Sequence, residues 1–325
     1  MKTIQDNHTY KKIKYGIDHD NLKNYIALGF FDGIHLGHQA LLKCCVKEAR
    51  LANATSTAIL FDEHPEKVIK NYNHFYLLTT LEERIRRIKQ LGIQQIIIIN
   101  FNENFQKITA ENFIIKILLK KFNMRAVFVG YNYSFGFQKK GDIKLIKELS
   151  NHYNFKSYIM KPETIDEKQK ISTTIIKENL IKGNIEKANK LLGYPYELNG
   201  EVIHGDNRGS TVLSFPTANL ALAKEKMLPK NGVYIAFAYS EGKKYNGLVN
   251  VGFRPTFRKK KDDTSVEIYI FDFCDDIYNK KISISLLKRI RDEKRFTHAR
   301  DLAAQIKKDK IIAENFFKEY KNNLS

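Results

Sequence analysis

The chain has 325 residues, a formal net charge of +19, 43% hydrophobic residues and three cysteines. That length suits two domains with separate cores, and no run approaches the roughly 18 to 20 apolar residues that span a bilayer. Cys44, Cys45 and Cys274 show neither metal-ligand nor disulfide-framework spacing, and the polar stretch 1–15 lacks the apolar segment of a signal peptide, so a cytoplasmic protein without a membrane partner is expected. The lysines are dispersed, as in Lys139-Lys140 and Lys259-Lys260-Lys261, with no interleaved stacking aromatics. No nucleic-acid partner is therefore expected, and a basic surface suits small anionic substrates.

In chain order, the first half alternates short apolar runs with amphipathic stretches. Strands are predicted at 25–30, 57–61, 95–100, 126–130 and 156–160, with helices at 39–51, 81–91, 110–121 and 142–151 between them. Thr79-Thr80 opens the helix at Leu81 and Gly92 stops it. Buried strands separated by helices predict a parallel, doubly wound sheet. Ligands of such sheets bind beyond the carboxyl ends of the strands, where the loops 29–38, 62–65 and 130–141 fall. Two short helices joined near Gly183 follow over 171–193. The pattern then changes to β-rich runs at 201–204, 233–239, 245–251, 265–273 and 281–287, which predict a small antiparallel barrel with one or two amphipathic helices over 297–320 packed on it. The expected fold is thus α/β followed by all-β, with domains at 1–183 and 184–325.

Leu28-Gly29-Phe30-Phe31-Asp32-Gly33-Ile34-His35-Leu36-Gly37-His38 joins the first strand to the first helix. Glycine removes the Cβ that would block a close approach to phosphate, and the first N–H groups of the helix are donors to an anion. His35 and His38, three apart, face one ligand from a first helical turn. Imidazole N–H groups there suit a triphosphate whose α-phosphorus and pyrophosphate leaving group gather charge. Phe61-Asp62-Glu63-His64-Pro65 ends the second strand and by itself reads as a polar turn closed by proline. The loop Gly130-Tyr131-Asn132-Tyr133-Ser134-Phe135-Gly136 offers rings either to a flat ligand or to packing beneath itself. Ile171-Ser172-Thr173-Thr174-Ile175-Ile176-Lys177 places hydroxyls at a helix start with a cation one turn in, which grips a phosphate or simply caps the helix.

The Gly-x-x-His-x-Gly-His pattern after a strand resembles the signature of nucleotidylyltransferases, and Phe31-Asp32 in front resembles their flavin branch. Together and in order, the segments over roughly 25–182 resemble the FMN adenylyltransferase half of bacterial bifunctional riboflavin kinase/FAD synthetases. That resemblance implies a Rossmann-like domain in which His35 and His38 are catalytic. It also implies that Gly29, Phe31, Asp32, Gly33, Gly37, His64, Ser172, Thr173 and Lys177 meet ATP or its phosphates, and that Asn132 and Phe135 meet flavin. The chain departs from the family pattern at Glu63, usually Pro, at Asn132, usually Asp, and at Lys177, usually Arg, whose bidentate phosphate geometry a lysine lacks.

In the second half, Gly200-Glu201-Val202-Ile203-His204-Gly205-Asp206 leads into Phe215-Pro216-Thr217-Ala218-Asn219-Leu220. Thr217 and Asn219 are two apart, so in extended backbone they share one side, and their neutral oxygens can complete a Mg²⁺ shell supplied mostly by phosphate and water. With 250–257, Val266-Glu267-Ile268-Tyr269 and 290–296, these segments resemble the riboflavin kinase module over roughly 186–310. The resemblance implies a Mg²⁺–ATP site at Thr217 and Asn219, an ATP contact at Gly205, Glu267 as general base on a ribityl hydroxyl, and Arg291 at the flavin pocket. Ser210, Ser214, Tyr269 and Asn279 depart from the family pattern. The implied activity is phosphorylation of riboflavin by ATP to FMN, then adenylylation of FMN to FAD, with ATP as co-substrate and flavins as substrate and product. The alternatives are a riboflavin kinase with a weakened adenylyltransferase half and a non-catalytic flavin- or RNA-binding regulator.

Overall fold

Five apolar runs form the parallel part of a seven-stranded sheet in the computed structural model, which describes residues 2–6, 10–14, 23–70, 75–165, 169–203, 217–253, 264–273, 275–294 and 296–322. The strands are β1 (Lys2–Asp6), β2 (Tyr10–Lys14), β3 (Asn24–Leu28), β4 (Thr55–Phe61), β5 (Gln95–Ile99), β6 (Met124–Gly130) and β7 (Lys156–Met160). Their order is β1-β2-β5-β4-β3-β6-β7. Pairing is parallel from β5 through β7, and β2 adds antiparallel to β5. The hairpin β1/β2 falls in a stretch without a strong apolar alternation, and pairing to the sheet, not local pattern, makes it a strand pair.

Both faces of the parallel sheet are buried, as all-parallel pairing requires. The helices are α1 (Leu36–Leu51), α2 (Pro65–Lys70), α3 (Leu81–Gln90), α4 (Glu103–Gln106), α5 (Ala110–Asn112, continued by a π-helical stretch Phe113–Lys121) and α6 (Ile143–Tyr153). Along β3 successive side chains alternate between two cores: Tyr25 and Ala27 pack with Leu41, Leu42 and Cys45 of α1, and Ile26 and Leu28 pack with Phe113, Ile114 and Ile146. Thr80 and Glu83 form a reciprocal cap at the start of α3. The chain runs outward from β3 through β4 to β5, then returns to place β6 on the other side of β3. The loops after β3 and β6 therefore flank a topological switch point, where such sheets bind ligands.

A two-stranded ribbon, β8 (Thr164–Ile165) and β9 (Gln169–Lys170), precedes α7 (Thr173–Lys182) and α8 (Ile185–Leu192). The chain divides into two compact units, Met1–Thr173 and Thr174–Ser325. The second unit holds β10 (Tyr196–Ile203), β11 (Thr217–Leu222), β12 (Gly232–Ser240), β13 (Lys243–Phe253), β14 (Thr264–Ile270), β15 (Lys281–Arg291) and one long helix, α9 (Ala299–Asn322). The six strands close into an antiparallel barrel in the order β10-β11-β14-β13-β12-β15.

Leu198, Tyr234, Ala236, Val249, Val251, Ile268 and Ile284 are buried on the barrel's inner side. Their neighbours on the opposite side, Val233, Ile235, Phe237, Leu248 and Phe271, pack against Ala313 and Phe317 of α9. The outer face is thus apolar where α9 covers it. No helix among the described residues is long and apolar enough to cross a membrane.

Candidate active sites

The loop leaving β3 is held in a strained path. Phe31 (φ 56), Gly33 (φ 78) and Ile34 (φ 35) all have positive φ, which costs a non-glycine residue energy and persists only where the surroundings fix it. A Cβ at Gly29 would lie 2.9 Å from the Phe31 ring, and one at Gly37 would lie 3.3 Å from the His35 ring. Asp32 Oδ1 accepts from Thr79 N–H (3.0 Å) and from the Thr79 hydroxyl (3.2 Å). Thr79 Oγ1 in turn accepts from Gly33 N–H at 2.8 Å. Asp32 and Gly33, both expected at ATP, each direct a polar group to Thr79, and together they brace the loop. The Thr173 hydroxyl donates to the Asp32 carbonyl (3.2 Å), which brings the first residue of α7 to the same loop.

His35 is the N-cap of α1, and its Nδ1 accepts from His38 N–H at 3.3 Å. A ring nitrogen that accepts carries no proton, so the His35 proton sits on Nε2. The two imidazoles stack at 3.7 Å with 17° between planes. Burial pushes the His35 pKa down to about 4 against an upward pull from Asp32. Burial, then the neighbouring His35, pushes His38 well below the usual imidazole range. Both rings are therefore neutral at pH 7 and act as N–H donors. His38 Nδ1 is buried with no hydrogen-bond partner among the described residues.

His64 lies between Phe30 (4.2 Å) and Phe75 (4.3 Å). Its Nδ1 accepts from Glu66 N–H (3.1 Å), which fixes the ring over the start of α2. Lys139, in the loop after β6, pairs with Glu66 at 3.2 Å. Because β3 stands between β4 and β6, that pair bridges past the end of β3. Asn132 is exposed on the same loop, its Oδ1 3.6 Å from where a Gly130 Cβ would stand. Phe135, expected at flavin, lies beneath this loop. It is 7% exposed and packs on Phe113 and Tyr133, so it supports the loop from the core. Ser172 is half-buried just before α7, and Lys177 sits one turn into that helix, within the second unit.

One residue escaped the sequence reading. Arg84 of α3 is 1% exposed. Its guanidinium lies 4.2 Å over the Phe30 ring and donates to the Phe30 carbonyl at 3.1 Å. The available signal was a charge on the buried stripe of α3, since Arg84 stands three after Leu81 and four before Ile88.

In the barrel, β11 pairs with β14 so that Thr217 opposes Tyr269 and Asn219 opposes Glu267. On the other side of β14, Asn250 of β13 opposes the same Glu267. Directly opposed side chains share a face with Cβ atoms about 5 Å apart. Glu267 therefore stands between two amides, with Thr217 two residues along, on the outer face that α9 covers further on. A Cβ at Gly252 would collide with the Glu293 carboxylate, so that glycine admits a second acidic group beside Asn250.

Arg291, expected at a flavin pocket, lies at the end of β15. It holds Asp309 of α9 through Nε (2.9 and 3.1 Å) and Nη2 (2.8 Å), and so fastens the helix to the barrel. Gly205 lies outside the described residues.

A parallel sheet with a histidine pair capping its first helix, and a barrel carrying a carboxylate among hydroxyl and amide oxygens, define a transferase that works on phosphate esters. The chain matches the FAD synthetase family over residues 17–175 and the riboflavin kinase family over residues 192–317. A Buchnera aphidicola subsp. Schizaphis graminum protein named bifunctional riboflavin kinase/FMN adenylyltransferase is 37% identical over 318 residues, 98% of this chain and 99% of its own. A Bacillus subtilis protein of the same name is 36% identical over 320 residues, 98% of each chain. A Streptococcus pneumoniae crystal structure named macrolide-efflux protein superposes with a TM-score of 0.81 at 32% identity, covering 92% of this chain and 96% of that one. The chain belongs to the family of bifunctional riboflavin kinase/FMN adenylyltransferases and carries both of its domains.

Proposed function

We propose that the barrel unit transfers the γ-phosphoryl group of ATP to riboflavin, giving FMN and ADP. The α/β unit then transfers AMP from a second ATP to that FMN, giving FAD and pyrophosphate. We set the catalytic division at 1–183 and 184–325, between the two family matches, which end at residue 175 and begin at 192. The substrates are ATP, riboflavin and FMN, handled in the cytoplasm without a nucleic-acid or membrane partner.

The observation that carries this reading is the register that opposes Glu267 to Asn219. It sets a carboxylate beside neutral oxygen ligands on one face, which supports a base there. Glu267 takes the proton of the ribityl hydroxyl as that oxygen attacks the γ-phosphorus and the bond to the β-phosphate oxygen breaks. Thr217 and Asn219 fit Mg²⁺, a hard cation that prefers oxygen ligands and keeps several waters and phosphates. When bound, Mg²⁺ neutralises charge on the transferring phosphates. Gly205 is assigned to the ATP of this step.

In the first unit, a phosphate oxygen of FMN attacks the α-phosphorus and the α–β bond breaks. Neutral His35 and His38 donate N–H groups to the oxygens that gain charge as pyrophosphate leaves. Gly29, Phe31 and Gly37 give the loop the shape that admits the triphosphate. His64, Ser172, Thr173 and Lys177 are assigned to ATP, and Asn132 to flavin.

The full chain incubated with riboflavin, Mg²⁺ and ATP yields FMN and then FAD; recovery of unchanged riboflavin from folded protein refutes the proposal. The substitutions at Asn132 and Lys177 favour a second reading, a kinase with a weakened second step. Supplying FMN directly separates the two, since the second reading predicts FMN left unconverted.

A further inference from the structure

The peptide between Phe30 and Phe31 lies inside the strained loop, and Arg84 holds one side of it. Arg84 Nη1 donates to the Phe30 carbonyl at 3.1 Å while its guanidinium covers the Phe30 ring at 4.2 Å. The peptide is trans. In a trans peptide the C=O and the following N–H point in opposite directions, so fixing the carbonyl toward α3 fixes Phe31 N–H away from it. Among the described residues nothing accepts a hydrogen bond from Phe31 N–H, although Phe31 is 1% exposed. Buried backbone donors almost always have an acceptor, so this donor calls for one from a ligand. A cation on the carbonyl oxygen also polarises the peptide and strengthens the N–H as a donor. The Phe31 ring meets His38 edge-on at 5.3 Å, which places this peptide beside the histidine pair.

We propose that Arg84 is a positioning residue for adenylyl transfer: by holding the Phe30 carbonyl it aims and strengthens Phe31 N–H as a donor to a phosphate oxygen of ATP. This rests on the assignment of the 29–38 loop to ATP. Arg84 touches no reacting atom. Its effect is exerted through one peptide, and a donor aimed at developing charge acts on turnover more than on binding.

The test uses the full chain, with riboflavin phosphorylation as an internal measure of the second unit. R84M is expected to lower kcat for FMN adenylylation by about 10²-fold, the scale of losing one such donor. The KM for ATP should stay within about threefold and riboflavin phosphorylation within about twofold on that same scale. R84K, which keeps a charged donor, should recover at least about tenfold of that loss. I88A removes packing from the same face of α3 but leaves the Arg84 contact; it should lower Tm while holding adenylylation kcat within about threefold.

The proposal is overturned if R84M adenylylates at the wild-type rate, if R84K is as slow as R84M, if I88A is as slow as R84M, or if the whole loss lies in the KM for ATP. Should R84M not fold, R84Q stands in for it, and an unchanged kcat in R84Q overturns the proposal. H38A separates this from the underlying assignment. If H38A adenylylates normally, the loop's role is wrong; if H38A is slow and R84M is not, only the role of Arg84 is wrong.

Discussion

Replacing Asp309 by alanine removes the acidic group that, among the described residues, holds Arg291 to α9, and the structure sets the size of the effect. Asp309 is 2% exposed and receives four hydrogen bonds within 3.1 Å, three from Arg291 and one from Gln305. Breaking a buried pair by deleting one partner costs about 3–5 kcal/mol, because the remaining charge is left uncompensated. The Arg291 side chain is 16% exposed and also donates to the Asp292 carbonyl at 3.0 Å, so it regains part of its hydration. That places the expected loss nearer about 2–3 kcal/mol. For a unit of this size each kcal/mol moves Tm by about 2–4 °C, so D309A should lower the barrel's transition by roughly 4–12 °C. The assay is calorimetry of the full chain, with the barrel's transition recognised as the one that added riboflavin raises. The double variant R291M/D309L removes both charges and should restore at least half of the loss. A D309A transition within about 1 °C of wild type, or a double variant less stable than D309A, refutes the reasoning.

Three further outcomes follow from the sites. E267Q should reduce riboflavin phosphorylation by about 10²–10⁴-fold, the span of general-base effects, while FMN supplied directly is still converted to FAD. N219A should raise the Mg²⁺ concentration needed for half-maximal phosphorylation by at least about fivefold without altering adenylylation, read by Mg²⁺ titration of both steps. The third concerns pH. His35 has a folded pKa of about 4 against an ordinary 6.5, so the unfolded state binds its proton more tightly. Stability of the first unit is complete above pH 6.5 and falls as pH drops from 6.5 to 4, by roughly 2–3 kcal/mol for this one group. H35N keeps a side chain able to cap α1 but cannot titrate, so urea midpoints measured across that window should fall less steeply than in the wild type.

The strands and helices that the sequence made legible were those with an unambiguous period. The run of four isoleucines in β5 and the helix opened by Thr79-Thr80 and stopped by Gly92 needed no partner to be recognised. The hairpin β1/β2 and strand β11 were not legible, because both depend on pairing with distant strands and neither has a strong alternation of its own. The candidate sites divide in the same way. His35 and His38 stand out by their pattern at a strand-to-helix turn, whereas the roles proposed for Thr217, Asn219 and Glu267 came from the family resemblance, and only register set Glu267 between Asn219 and Asn250. For Asp32, Gly33, Phe135 and Arg291 the family resemblance implied ligand roles, but their contacts within the protein were not legible. Their partners, Thr79, Phe113 and Asp309, stand 47, 22 and 18 residues away, where no local pattern announces them. Arg84 was hidden for the converse reason: a long cation in a surface-patterned helix reads as solvated until a carbonyl and a ring are seen to receive it.

The hairpin β1/β2 decides which strand is left at the border of the sheet. Without it that border is β5, whose sequence Gln95-Ile96-Ile97-Ile98-Ile99 is uncharged, has four β-branched isoleucines and is buried along its length. Such a segment with an open row of backbone donors and acceptors is a template for pairing with other chains. With the hairpin in place the border passes to β1, Lys2-Thr3-Ile4-Gln5-Asp6, which carries a charge at each end. Strands β1 and β2 thus cover the β5 edge, and a chain lacking them is expected to lose solubility before it loses either reaction.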